Sequence, residues 1–133
     1  MSSPIPSVGR APALQVSEEK YSAGLATDAT GLKVVFRGTI STVNPAAVLN
    51  PFVDAVHAQL AAANLKEIRV DFSELEFCNS SGFKAFIHWI QKVQAMPEAH
   101  RYRIRFISSP VRKWQRTSLL ALSCYAPGLV EIA

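Results

Sequence analysis

The sequence predicts an α/β fold: a mixed, mostly parallel sheet of 4–5 strands with helices mainly on one face, in the order ββαβαβα(β). Three observations predict it. Segments with an apolar period of two alternate with segments of helical period after residue 45. The first two strand-like segments are separated only by turn residues, which makes them an antiparallel hairpin. In three successive strands one side is apolar and the other carries Lys or Arg. A parallel sheet covered on both faces would read as continuous apolar runs instead.

The elements follow in order. Residues 1–19 hold Pro4, Pro6 and Pro12 with four serines and show no period, so they read as a flexible lead-in, with a domain over 20–133. Tyr21 to Thr27 is a short strand, and 28–31 is turn chemistry. In the next strand, over 32–37, Leu32, Val34 and Phe36 point one way and Lys33 and Arg37 the other. Asn44-Pro45 and Asn50-Pro51 are each a capping residue followed by proline at a first helical position. Because Pro51 disfavours a continuous helix, the expectation is a helical turn over 45–49 and a main helix over 51–63. Phe52, Val53, Val56 and Leu60 form its apolar stripe.

A strand over 66–72 buries Ile68, Val70 and Phe72, and a loop follows. A helix opens at Ser80 or Ser81 and runs to about Ala95, with Phe83, Phe86, Ile87, Ile90 and Val93 inward and Trp89 at the edge of the stripe. The next strand, 101–107, has Tyr102, Ile104 and Phe106 on one face and Arg101, Arg103 and Arg105 on the other. Ser109-Pro110 starts a last helix, and Pro127-Gly128 precedes a short strand over 129–132.

Composition narrows the function classes. The chain has 133 residues, enough for one domain with its own core, and no apolar run of membrane-spanning length. Its first residues, MSSPIPSVGR, lack a signal-peptide stretch, so a cytoplasmic location without membrane insertion is expected. Cys78 and Cys124 lack any metal spacing and read as buried free thiols. With three scattered histidines, no metal site is expected. His57 and His88 have no catalytic partner at recognisable spacing, and neither paired carboxylates nor a phosphate-cradling glycine loop is present. A non-catalytic protein without a cofactor is expected. The net charge of +4 permits an anionic partner. A nucleic-acid face would need stacking aromatics among its basic residues, and here they fall on the opposite side of the strands, so nucleic acid is not an expected partner. Arg112, Lys113 and Arg116 are candidates for an acidic partner.

The segment from Phe72 to Phe83 joins a buried strand to an amphipathic helix, with two serines and a glycine at the helix start. Backbone N–H groups and the helix dipole favour an anion there. Asp71-Phe72-Ser73 and Asn79-Ser80-Ser81-Gly82-Phe83 resemble the signature of the STAS family, typified by bacterial anti-sigma-factor antagonists. Gly38-Thr39-Ile40-Ser41 and Ile107-Ser108-Ser109-Pro110-Val111 are similar to two further family segments, and the resemblance covers about residues 20–133. Asn79 and Ser41 stand where the family has Asp. The resemblance implies a phosphorylation-controlled partner switch. Ser80 would be the modified residue, with Ser81 the second candidate. Asn79, Ser80, Ser81, Gly82, Phe83 and Ser41 would form the partner face. The implied partners are a serine kinase that is also an anti-sigma-like ATPase and a PP2C-type phosphatase. The alternative is a constitutive STAS scaffold subunit of a transport or signalling complex. Phe83 suits either partner docking or core packing, and Cys78 either redox sensing or simple burial.

Overall fold

A computed structural model describes residues 14–29 and 31–133. Six strands and three helices follow one another: β1 (Gln15–Ser17), β2 (Tyr21–Asp28), β3 (Gly31–Ile40), α1 (Ala46–Ala62), β4 (Glu67–Cys78), α2 (Ser80–Gln94), β5 (Arg103–Ile107), α3 (Lys113–Tyr125) and β6 (Val130–Ile132). A 3-10 turn, Glu98–His100, precedes β5. The strands form one sheet in sequence order, antiparallel from β1 to β3 and parallel from β3 to β6. The sheet therefore has six strands rather than four to five. The extra strand, β1, lies inside the segment expected as a lead-in, so the folded part begins before Lys20. Three residues around a single inward Val16 are too few to show a period. Residues 1–13 lie outside the described residues.

The four parallel strands β3 to β6 advance in one direction through three helical crossovers, and the right-handed connection that such units adopt puts all three helices on one face. Val34, Phe36, Ile68, Val70, Phe72, Ile104 and Phe106 from the strands share one core with Leu49, Val53, Val56 and Leu60 of α1, Phe86 and Ile90 of α2, and Leu119 and Leu122 of α3. Phe36, Phe72, Phe86 and Phe106 meet at tilted or edge-on angles, with centroids 5.2–6.1 Å apart. The opposite face carries cross-strand ion pairs: Lys33 with Asp71 at 3.9 Å, Arg37 with Glu74 at 3.1 Å, and Arg103 with Glu131 at 3.1 Å. Arg101 is not part of that face. Its guanidinium donates to the carbonyls of Met96 and Gln94 at the end of α2. Among the described residues no helix is long and apolar enough to cross a membrane.

Several element boundaries differ from expectation. α1 is one continuous helix with Pro51 inside it. Pro51 is exposed, so its ring has room, and losing one N–H does not outweigh the buried stripe on the other side. β4 runs on through Cys78 where a loop was expected. It carries two extra residues opposite β3, at the shifts between Val35 and Arg37 and between Gly38 and Thr39. Each bulge breaks the period of two and hides the strand's second half. Trp89 is fully buried, not at the edge of α2. The inward row is Gly82, Ala85, Phe86, Trp89, Ile90 and Val93, a regular helical repeat whose first two members are too small to read as core. α3 begins at Lys113, and Ser109-Pro110 lies in the loop before it.

Candidate functional site: the start of α2

The site lies at the carboxyl ends of β3 and β4. Asn79 is the N-cap of α2, in extended conformation. Its side-chain oxygen accepts from the Gly82 N–H at 2.8 Å, and its side-chain nitrogen donates to the Thr42 carbonyl at 2.9 Å. Its backbone N–H donates to the Ile40 carbonyl at 2.9 Å. One residue thus ties the helix start to the end of the neighbouring strand. Asparagine supplies both an acceptor and a donor here, and an aspartate would supply only the acceptor.

Ser80 and Ser81 follow as the first two helical residues. Their N–H groups precede the first intrahelical bond. Ser80 is exposed and Ser81 half-buried. Gly82 packs against β3 and β4: a Cβ there would lie 2.6 Å from Cys78 Sγ and 2.9 Å from Ile40 Cγ2. Ser41 is exposed, in the strand end that Asn79 clamps between Ile40 and Thr42. The structure therefore brings Ser41, Asn79, Ser80, Ser81 and Gly82 together. Phe83 is partly buried. Its ring meets Phe86 at 5.7 Å and Trp114 at 6.2 Å, both edge-on, so packing holds most of it and its remainder borders the site.

Cys78 is buried beneath the helix start, and burial pushes its thiol up to about 12. It stays a protonated, unreactive thiol at neutral pH. Cys124 is exposed, contrary to the expectation of two buried thiols. It sits in the last turn of α3, whose stripe is Gln115, Leu119 and Leu122.

Three features were not legible in the sequence. Lys84 is exposed four residues after Ser80, on the same helical face. The edge of β4 beyond Asp71 has no β5 partner, because β5 ends opposite it at Ile107. Side chains of the α3 segment take over. Gln115 donates to the carbonyls of Phe72 (2.6 Å) and Leu75 (2.8 Å), Arg112 to that of Ser73 (3.2 Å) and Trp114 to that of Glu76 (2.9 Å). Among the described residues Gln115 is the buried polar one, and its oxygen accepts from the Ser109 N–H. The third feature is a pair of histidine contacts, one between α2 and α1 and one from α1 to the residue before β5. His88 lies 2.8 Å from Asp54, which also meets Lys92 at 3.3 Å, and His57 lies 2.6 Å from the buried Tyr102 hydroxyl. Among the described residues no cluster of three His, Cys, Asp or Glu side chains is placed to hold a metal ion.

No family model and no curated protein matches the sequence. Solved structures do match its fold. An anti-sigma factor antagonist from Mycobacterium paratuberculosis aligns over 91% of this chain and 88% of its own, with a TM-score of 0.56 and 17% identity. A protein with a SpoIIAA-like fold from Shewanella loihica aligns over 89% and 88%, with a TM-score of 0.51 and 11% identity. At these identities the likeness speaks for architecture. The chain has the SpoIIAA-like, or STAS, fold that anti-sigma factor antagonists share.

Proposed function

We propose that the chain is a regulatory protein–protein interaction module in which phosphorylation of Ser80 selects the partner. One observation carries this reading. Ser80 is exposed at the first helical position, while the cap beneath it is held by Asn79 bonds that do not use the Ser80 side chain. A phosphate can therefore be added without disturbing the fold. It would bring about −1.5 to −2 charge to the positive end of a helix dipole, with Lys84 one turn away. A partner docked over Ser41, Asn79, Ser80, Ser81 and the exposed part of Phe83 would meet that charge directly. The unmodified form holds a serine kinase of the anti-sigma-like ATPase class, the modified form releases it, and a PP2C-type phosphatase resets the switch, all in the cytoplasm. The anti-sigma factor antagonist with the same fold supports the class of function. Ser81 is the lesser candidate because it is half-buried.

The test is phosphopeptide mapping of the protein from cells, with pull-downs of Ser80→Ala and Ser80→Asp. A phosphate on Ser80, a retained partner with Ser80→Ala and a lost one with Ser80→Asp are expected. Equal binding by both variants would sink the switch. A second reading, a constitutive STAS scaffold, draws on Asn79, whose amide gives the motif a packing role by joining two elements. It predicts one unphosphorylated complex indifferent to both substitutions.

A further inference from the structure

The start of α3 carries an arrangement that folding alone does not explain. Arg112, Lys113 and Arg116 fall within about one helical turn, and no acidic residue lies in the first turn. The pairs 112/116 and 113/116 have the four- and three-residue spacings that bring side chains together on a helix face. Like charges repel at that spacing, and cations at the positive end of a helix are unfavourable. Lys113 and Arg116 are exposed, and among the described residues neither has a carboxylate partner. Elsewhere cations are used differently: Arg37 and Arg103 pair with glutamates, and Arg101 closes the end of α2.

These three cations line a cavity of about 610 Å³ together with Ser108, Ser109 and Ala133. Its walls are fixed by hydrogen bonds. Arg112 is anchored through Nε on the Ser73 carbonyl, which orients its guanidinium, and Gln115 holds the Ser109 backbone. Ser108 is tied to the Ala133 carbonyl through its N–H and hydroxyl. The volume falls in the range of small-molecule sites and exceeds the needs of a bare ion. The Ser109 hydroxyl, a guanidinium held in place and the exposed Lys113 and Arg116 cations are the donor set that oxyanions favour.

We propose that this cavity binds a phosphate group, free or as the monoester of a small molecule. Bound phosphate offsets the repulsion among Arg112, Lys113 and Arg116 and accepts from them and from the Ser109 hydroxyl. The site is separate from Ser80 and does not depend on its role.

The test is a titration of the full chain with inorganic phosphate and, in parallel, glycerol 3-phosphate, followed by amide chemical shifts. Sodium chloride at matched ionic strength is the control. Saturable shifts confined to residues 108–116 are expected, absent with chloride. Lys113→Ala and Arg116→Ala should each weaken binding about tenfold, as loss of a charge-assisted contact does. Ser80→Ala should bind as the parent does. Tighter binding of glycerol 3-phosphate would assign the natural ligand to the esters, and equal or weaker binding to free phosphate. Shifts matched by chloride, or unchanged in the Lys113→Ala/Arg116→Ala double variant, would overturn the proposal. Both positions are exposed and alanine is a good helix former, so the double variant should stay folded, which circular dichroism checks.

Discussion

Gly82 shows how much of the site rests on one missing side chain. Its backbone is not left-handed, so the constraint is space and not conformation. A methyl group would meet Cys78 Sγ and Ile40 Cγ2 inside contact distance. Alanine favours a helix over glycine by about 1 kcal/mol, but overpacking of this kind costs about 1–3 kcal/mol. Gly82→Ala is therefore expected to lower stability in urea denaturation and to loosen the Asn79 cap. An unchanged midpoint would mean that the helix start yields easily. Tyr102 makes a second residue-scale argument. Its buried hydroxyl accepts from the Trp89 indole N–H at 2.7 Å and lies 2.6 Å from His57 Nδ1, to which its own proton can be donated. Such donation suits a neutral His57 with its proton on Nε2. Burial lowers the His57 pKa below 6.5, with Lys92 and His88 adding to the effect and Asp54 opposing it. Below 6.5 the unfolded chain then binds more protons than the folded one. Stability is expected to be full above pH 6.5, to fall as the pH drops toward the depressed folded value, and to level off below it. Urea midpoints across pH 5 to 8 check this, and His57→Leu should flatten the slope in that window.

At the scale of elements, β4 and α3 depend on each other. β4 outruns β5, and its carbonyls beyond Asp71 would be a liability without partners. The α3 segment supplies them from side chains, with Gln115 at the centre. Gln115→Leu keeps the volume and orphans the Phe72 and Leu75 carbonyls, at roughly 1–3 kcal/mol for each buried group left unpaired. The expected result is a loss of about 3 kcal/mol in denaturant unfolding, and faster hydrogen exchange in α3 than in α1. This element pair also shows where sequence reading stops. The stripe of α1 was legible because Phe52, Val53, Val56 and Leu60 repeat at helical spacing, and all are buried. The second half of β4 was not, because two bulges break its alternation. The join to α3 was not legible either, because side chains about 40 positions apart make it.

The whole molecule divides its labour between the two faces of the sheet. The helix side holds the aromatic core and the charged side is in contact with solvent, where Arg37 and Glu74 are each more than half exposed. Exposed pairs of this kind contribute about 0–1 kcal/mol each and are screened by salt. The unfolding free energy is therefore expected to change by no more than about 1 kcal/mol between low and high sodium chloride. A larger loss would show that the ion-pair face is a structural network.

The alternation of strands and helices, the one-sided sheet and the serine pair at a helix start could be read from the residues alone, because each is written in local periodicity and capping chemistry. Folding in three dimensions is what makes Asn79 join that helix to the end of β3, Gly82 leave room for it, Trp89 part of the core, and Gln115 the completion of the β4 edge. Those depend on distances between segments far apart in the chain, which no local pattern records.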